Sequence, residues 1–206
     1  MAGVGIHGFG RIGRSTLGIA LQNNLFSTVS ISDIKDLPTL AALFQVDTNY
    51  GVFPETVSAK GDKLKAGDSS IAYIDSTKEL PDWAALGVDL VIDCTGRATT
   101  RAGAQAHLDR GAKRVLVSAP SKTRDDADVF LLPGINMEDY DASKHQIVSM
   151  ASCTTNALGP VVKVVRWEER NDAMDGVAML ANATSLGMTG KPPLDVSLDR
   201  LPKRAV

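Results

Sequence analysis

The sequence VGIHGFGRIGR at residues 4–14 decides the fold. A short apolar run leads into Gly8, Gly10 and Gly13, and the residues that follow, as far as Leu25, have the apolar spacing of a helix. Strand, glycine turn and helix in this order are typical of a dinucleotide site. There the first glycine allows a tight turn, the second lets the backbone approach a pyrophosphate, and the third lets the helix pack on the strand. The alternative is a glycine-rich turn in another kind of parallel sheet.

An acidic residue lies at the distance that such a site requires. Asp33 closes the second predicted strand, STVSISD, twenty residues after Gly13. A carboxylate in this position accepts hydrogen bonds from the adenosine ribose hydroxyls and repels a 2'-phosphate. The predicted cofactor is therefore NAD rather than NADP.

Predicted strands and helices alternate along the chain. Helical spacing recurs in PTLAALFQ (38–45) and TTRAGAQAHLDRG (99–111), and buried strands are indicated by VDLVIDCTG (88–96) and AKRVLVSAPS (112–121). Residues 53–80 are polar and turn-rich and are predicted to be an excursion from the main sheet. The alternation predicts an α/β fold with a doubly wound, Rossmann-like parallel sheet in a single domain.

The composition narrows the class of protein. The chain has 206 residues, 44% of them hydrophobic, and a net charge of -2, which gives no electrostatic case for a nucleic acid or an anionic membrane as partner. Neither a signal-peptide pattern nor an apolar run of bilayer length is present, so a cytoplasmic location is expected. Two cysteines are too few for a disulfide framework or a cysteine-based zinc site, and no metal is predicted.

One of the two cysteines lies in a stretch that suits chemistry. Cys153 is part of MASCTTNALGP (150–160), just before an apolar helical pattern. A helix N-terminus stabilises a thiolate, and the neighbouring hydroxyl groups and amides suit a phosphate. The alternatives are a small buried hydrophobic residue or a helix cap. For Cys94, inside an apolar strand, the packing role is favoured.

Several motifs together resemble the cofactor half of glyceraldehyde-3-phosphate dehydrogenases. They are GFGRIGR, DTNYGVF (47–53), DCTG (93–96), AHLDRGAKRVLVSAPS (106–121) and ASCTTNALGP, and the resemblance runs from residue 2 to about residue 165. It implies that a thiolate attacks a small phosphorylated aldehyde. Hydride transfer to NAD and release of the thioester by inorganic phosphate would follow.

The same resemblance implies roles for individual residues. Cys153 matches the nucleophile of the family, and Asp33 matches its ribose contact. The residues that match the phosphate site of the family are Ser152, Thr154 and Thr155. Its backbone contacts with the pyrophosphate are matched by Arg11 and Ile12. The walls around its adenine and nicotinamide are matched by Thr95, Gly96 and Ser118.

The sequence also departs from that family. Where the family has a histidine that polarises the thiol, this chain has Leu180 and Ala181, and no histidine follows His145. His7, His107 and His145 are expected to be structural or solvent-facing rather than catalytic. The substrate domain of the family is expected to be missing as well.

The last segment resembles a different family. NATSLGMTGKPPL (182–194) is similar to the NADP-binding domain of shikimate dehydrogenases, and the resemblance covers residues 164–206. It implies that Asn182 and Thr184 lie beside the cofactor. The expected organisation is residues 1–165 as the NAD-binding region and 166–206 as a segment that completes the same sheet.

Two functions remain open. The first is an NAD-binding domain that keeps Cys153 but gives little or no aldehyde oxidation alone. The second is an active NAD-dependent phosphorylating aldehyde dehydrogenase complemented by a missing half. The sequence leaves the oligomeric state undecided.

Overall fold

A computed structural model describes residues 3–161, 167–169, 171–174, 189–190, 192–193, 195–200 and 202. The chain divides into two compact units, Met1–Pro160 and Val161–Val206.

The first unit begins with two strand and helix pairs and continues through five short strands. The pairs are β1 (Gly3–His7), α1 (Arg11–Asn23), β2 (Ser27–Asp33) and α2 (Leu37–Gln45). The short strands are β3 (Val46–Asp47), β4 (Gly51–Val52), β5 (Val57–Lys60), β6 (Lys63–Ala66) and β7 (Ser69–Asp75).

The rest of the first unit contains four strands and two helices. Its elements are β8 (Leu90–Asp93), α3 (Arg101–Asp109), β9 (Arg114–Val117), β10 (Val129–Phe130), β11 (Ile147–Ser149) and α4 (Cys153–Leu158). Single 3-10 turns cover Arg124–Asp126, Met137–Asp139 and Gly159–Val161, and in the second unit Trp167–Glu169 and Asp172–Met174.

Nine of these strands form one sheet in the order β10, β11, β9, β8, β1, β2, β7, β6, β5. Every pairing from β10 to β7 is parallel, and β7, β6 and β5 pair antiparallel at the far edge. The predicted Rossmann-like doubly wound sheet is confirmed.

The segment at residues 53–80 corrects one expectation. It is not an excursion from the main sheet, because β7 pairs in parallel with β2 and carries β6 and β5 with it as the antiparallel edge. Its polar character reflects its position, since an edge of a sheet has fewer buried side chains than its centre.

Alternation along the central strands separates two packed layers. Ile6 and Ile31 pack with buried residues of α1 and α2, such as Leu17 and Phe44. On the other face, Gly5 lies so close to Trp83 that an added Cβ would be 3.0 Å from the indole. Successive side chains of a strand point to opposite faces, so α1 and α2 cover one face of the central strands and the turn that carries Trp83 covers part of the other.

The helix N-termini differ in how they are capped. Asp36 accepts a hydrogen bond from the Thr39 N–H of α2, and Thr100 accepts one from the Gly103 N–H of α3. By contrast, α1 begins after Gly10, which offers no side chain to its first turn. The early amide groups of α1 therefore have no side-chain cap of their own.

Where the two family resemblances meet, the sequence favours a short helix from about Thr154 to near Val162, followed by a strand. In the structure, α4 ends at Leu158 and a 3-10 turn continues to Val161. The sequence VAMLANAT (177–184) also favours a buried strand, and these residues lie outside the described part of the chain.

In the second unit the described residues include two polar contacts. The Ser197 N–H donates to Asn171 Oδ1 at 3.1 Å, and Arg200 pairs with Asp172. Across the described parts of both units, no helix combines the length and the apolar character needed to cross a bilayer.

Candidate functional site

A crevice opens where the winding of the sheet changes direction. The chain proceeds from β1 to β2 on one side and later returns to place β8 on the other side of β1, so His7 and Asp93 end neighbouring parallel strands. A cavity of about 420 Å³ lies at these ends. In open α/β sheets this position is where ligands bind.

Four of the predicted cofactor residues line this crevice, namely Gly8, Gly10, Asp33 and Thr95. Two others, Asn182 and Thr184, lie outside the described residues.

The three glycines of the loop have different structural roles. Gly8 has φ +86°, and a Cβ there would lie 2.7 Å from Thr95 Cγ2. A Cβ on Gly13 would lie 2.2 Å from the Gly8 carbonyl oxygen, so α1 can approach β1 only with glycine at this position. A Cβ on Gly10 would meet nothing within 4 Å. Gly8 and Gly13 therefore shape the loop, whereas Gly10 keeps space open beside the crevice.

Arg11 and Ile12 form the first turn of α1 behind that open space. The Arg14 N–H is the first in the helix to donate to a loop carbonyl, that of Gly10, at 3.0 Å. Amide groups ahead of it point toward the N-terminal end of the helix, where the positive end of the helix dipole lies. Such an uncapped turn suits an anionic group.

Asp33 holds the loop in place as well as lining the crevice. Its Oδ2 accepts from the Phe9 N–H at 2.6 Å, and its Oδ1 accepts from the Lys35 N–H at 3.0 Å. The Tyr73 hydroxyl donates to the Lys35 carbonyl oxygen at 2.5 Å and fixes the same turn. An ionised carboxylate has about four acceptor sites, so Asp33 can still accept from a ligand hydroxyl.

The turn after β8 builds the opposite wall. The Thr95 N–H and hydroxyl donate to Asp93 Oδ1 at 3.0 and 2.7 Å, and the Thr95 hydroxyl oxygen accepts from the Arg97 N–H. Gly96 has φ +69°, which permits the reversal between them. Ser118, at the end of β9, donates its N–H to the Asp93 carbonyl oxygen at 2.9 Å. This wall is thus rigidly held by hydrogen bonds.

Cys94 lies in the same wall. Burial raises the pKa of its thiol to about 11, although hydrogen bonds with Ser118 and Thr16 oppose the shift. The side chain also packs against the apolar cluster under α1 and α2. The packing role expected for Cys94 agrees with this environment.

A buried polar chain lies beneath the crevice. The Trp83 Nε1–H donates to His107 Nδ1 at 3.1 Å, and His107 Nε2 lies 3.1 Å from Asp93 Oδ2. Indole nitrogen can only donate, so Nδ1 is the unprotonated nitrogen and Nε2 carries the proton given to Asp93. Burial tends to raise the pKa of Asp93, but the hydrogen bonds from His107 and Thr95 outweigh it and hold the pKa below its ordinary value.

His7 lies between β2 and β8 at the floor of the crevice. Its Nδ1 is 2.8 Å from the hydroxyl oxygen of Ser32, and its ring centre is 5.1 Å from that of His107. Burial holds the pKa of His7 below its ordinary value, partly opposed by the carboxylate of Asp93. His7 was expected to be structural or solvent-facing. It is half-buried and lines the crevice.

His7, Asp93 and His107 are close enough to suggest a metal site, with one potential ligand atom each within 4.8 Å of the others. Their hydrogen bonds argue otherwise. His107 uses both nitrogens, one toward Trp83 and one toward Asp93. Because a ligating nitrogen must be unprotonated, His107 could bind a metal only by losing one of these contacts. The group is better described as a hydrogen-bonded chain.

The predicted phosphate-binding residues gather at the start of α4. Ser152 Oγ accepts from the Thr155 N–H at 3.0 Å and lies 2.9 and 2.7 Å from the hydroxyl oxygens of Thr154 and Thr155. The Asn156 amide donates to the Met150 carbonyl oxygen at 2.7 Å. These contacts form a helix cap, one of the alternatives that the sequence leaves open for this stretch, and they bring all three hydroxyl groups together.

Cys153 is exposed at the first position of α4. It follows β11, whose carboxyl end lies on the same sheet edge as the crevice, with β9 between β11 and β8. Cys153 is not among the residues that line the crevice. Leu180 and Ala181 lie outside the described residues.

The sequence does not predict that several residues line the crevice, including His7, Lys35, Cys94 and Arg97. Each lies next to a recognised feature, because His7 precedes the glycine loop, Lys35 follows Asp33, and the pair Cys94 and Arg97 flanks Thr95 and Gly96. The available signal was position, since residues at the carboxyl ends of parallel strands line the crevice.

Residues 2–101 match the family described as glyceraldehyde 3-phosphate dehydrogenase, NAD binding domain. This region is an NAD-binding domain of the glyceraldehyde-3-phosphate dehydrogenase type. It includes the glycine loop, Asp33 and the Thr95 turn, and NAD is the cofactor that the match implies.

Curated relatives extend the similarity beyond that region. Glyceraldehyde-3-phosphate dehydrogenase of Geobacillus stearothermophilus is 41% identical over 163 residues, which are 79% of this chain and 48% of the relative. The enzyme of the same name from Kitasatospora aureofaciens is 44% identical over 168 residues, 80% of this chain and 49% of the relative. The chain therefore spans about half the length of the curated relatives it matches.

Proposed function

We propose that the crevice holds NAD with its pyrophosphate against the N-terminus of α1. The observation that carries this proposal is the combination of an uncapped helix start and the open space at Gly10. A diphosphate fits both, since it accepts hydrogen bonds from the amide groups and is stabilised by the helix dipole.

Other residues would orient the dinucleotide. Asp33 has acceptor sites left for ribose hydroxyls, and a 2'-phosphate there would meet its negative charge. Thr95 lines the crevice on the β8 side, and Gly96 and Ser118 would extend this wall around the cofactor.

We further propose that the Cys153 thiolate is the nucleophile toward a small phosphorylated aldehyde. Sulfur would add to the carbonyl carbon, and the thioester formed after oxidation would be cleaved by inorganic phosphate, which releases the thiolate and an acyl phosphate. Bound NAD supplies a hydride acceptor. Ser152, Thr154 and Thr155 offer clustered hydroxyl groups for the phosphate.

Taken alone, this chain is expected to oxidise aldehydes slowly. Leu180 and Ala181 stand where the family has the histidine that takes up the thiol proton, so Cys153 lacks that partner at this position. Losing a positioned acid or base lowers a rate by roughly a hundredfold to ten-thousandfold. Binding of NAD does not need that group.

A second candidate function is an active phosphorylating aldehyde dehydrogenase that is assembled with a separate complementary half. The observation in its favour is that the matched region makes up about half of each curated relative. In that case the other half would supply the base and the substrate contacts. A cytoplasmic location would suit both candidate functions.

Calorimetric titration of the chain with NAD tests the first proposal, with Gly10→Val as a variant that fills the open space. Binding that the variant loses supports the crevice as the site, and a chain that binds no NAD contradicts it. A second assay follows NADH formation from glyceraldehyde 3-phosphate and inorganic phosphate. Background rates favour the binding domain, whereas robust turnover by the chain alone contradicts it.

A further inference from the structure

The floor of the crevice contains one ionisable ring whose hydrogen bonding is incomplete. His7 ends β1 directly before the glycine loop and lines the crevice with Gly8 and Gly10. Its Nδ1 is engaged by the Ser32 hydroxyl at 2.8 Å. Within the described part of the chain, Nε2 of His7 makes no hydrogen bond.

The neighbouring ring is fixed in a way that His7 is not. His107 donates to Asp93 and accepts from Trp83, so its two nitrogens are both used and its neutral tautomer is set. His7 has only the Ser32 hydroxyl, which can act as donor or acceptor. Of the two rings, His7 can therefore gain a proton without breaking a hydrogen bond.

We propose that His7 is a cofactor contact that becomes protonated when the diphosphate of the dinucleotide binds. This inference rests on the proposed function, since it needs NAD in the crevice. It assigns to His7 the role of a proton-linked binding residue at the end of β1, beside the uncapped start of α1.

The charges around His7 determine the direction of the effect. Asp93 on β8 and Asp33 on β2 favour its protonated form, while burial and His107 on α3 oppose it. Ser32 and Trp83, which also face the ring, are uncharged. In the free protein, burial and His107 outweigh the two carboxylates, and the pKa of His7 therefore lies below its ordinary value.

A diphosphate brings added negative charge to the crevice and so raises the pKa of a nearby imidazole. Proton uptake and ligand binding then assist each other by linkage. As the pH falls from the pKa of the bound state to that of the free state, NAD affinity should rise by up to about tenfold per pH unit. Outside that interval the affinity should be constant.

The experiment is calorimetric titration of the whole chain with NAD at about pH 6 in two buffers of different ionisation enthalpy, repeated at about pH 8. The difference in heat between the buffers gives the number of protons taken up. The expected result is uptake of a substantial fraction of one proton at the lower pH and little at the higher pH. NAD binding with no proton uptake at the lower pH overturns the inference and leaves the proposed function intact. No NAD binding at either pH contradicts the proposed function itself.

Substitutions assign the proton to a residue. His7→Asn and His7→Gln keep a hydrogen-bonding group near Ser32 but cannot titrate, so both should bind NAD with an affinity that changes less than about twofold over this pH range. His145→Asn is the matched control, because His145 belongs to the loop before β11 and should leave proton uptake unchanged. Uptake that survives in a folded His7 variant overturns the assignment.

Ligand fragments assign the proton to a part of the cofactor. ADP-ribose contains the diphosphate and should produce the same uptake as NAD, whereas adenosine contains no phosphate and should produce none. Equal uptake with adenosine would show that His7 does not respond to the diphosphate, and the inference would be wrong.

Discussion

His107 donates its Nε2–H to Asp93 Oδ2 at 3.1 Å, and both side chains are almost completely buried. The same carboxylate accepts two hydrogen bonds from Thr95, so it connects α3 to the turn that forms one wall of the crevice. A single buried acid therefore supports both the packing of the sheet and the shape of the site.

Removing that carboxylate should destabilise the fold. In Asp93→Ala the buried His107 Nε2–H and the Thr95 donors lose their acceptor, and an unsatisfied buried donor costs about 1 to 3 kcal/mol. The free energy of unfolding in urea should fall by at least about 2 kcal/mol. Asp109→Ala is the control, since Asp109 is exposed and accepts a hydrogen bond from the exposed Gln105, so its loss should change stability by less than about 0.5 kcal/mol. Equal effects of the two substitutions would contradict this account.

Asp93 should also contribute to acid sensitivity. Its pKa in the folded protein is lowered, so its stabilising contribution is complete above the pKa of the unfolded chain and is lost as the pH falls through the folded value. That loss should occur below about pH 4. Unfolding experiments across this range should show a shallower decline for Asp93→Asn than for the unsubstituted protein. Parallel declines would indicate that other carboxylates determine the acid limb.

The sequence predicted the sheet and the loop well because both depend on local patterns. Gly8 and Gly13 were assigned to a tight turn and to close helix packing, and the distances to Thr95 and the Gly8 carbonyl oxygen agree with those reasons. The bounds of β2 were also obtained from its sequence, STVSISD.

What the sequence could not show depends on contacts between distant segments. Nothing in the local sequence of β7, SSIAYID (69–75), indicates that this strand pairs with β2 rather than leaving the sheet. His107 looked like one residue of an amphipathic helix, and its role depends on Trp83 and Asp93, which are 24 and 14 residues away. Side-chain networks of this kind become visible only when the tertiary structure brings their members together.

Two of the loop glycines should separate folding from binding. Gly13→Ala places a methyl group against the Gly8 carbonyl oxygen, so it should lower the free energy of unfolding by more than about 1 kcal/mol. Gly10→Ala meets no atom within 4 Å and should leave stability almost unchanged, but its methyl group should weaken NAD binding about tenfold or more because it occupies the path of the pyrophosphate. Thermal unfolding and calorimetry of both variants provide the comparison. A Gly10→Ala variant with full NAD affinity would contradict the placement of the pyrophosphate.

Cofactor preference should depend on Asp33 in two ways. NAD should bind more tightly than NADP, and Asp33→Ala should narrow the difference because the charge that opposes a 2'-phosphate is gone. The same substitution should also weaken NAD, since Asp33 holds the Phe9 and Lys35 amide groups and thereby the loop. Asp33→Asn is the informative partner, as it removes the charge and keeps an acceptor. Equal affinity of the unsubstituted chain for NAD and NADP would show the preference to be wrong.

The two cysteines should differ in reactivity toward iodoacetamide at neutral pH. Cys153 is exposed at the start of α4, whereas burial raises the pKa of Cys94 to about 11 and leaves very little thiolate. Mass spectrometry should therefore find Cys153 alkylated first, and Cys153→Ser should remove the fast phase. Because Cys94 lines the crevice, saturating NAD should slow the labelling of Cys94. A Cys94 that reacts as fast as Cys153, or whose labelling is indifferent to bound NAD, would contradict the placement of the cofactor against the β8 wall.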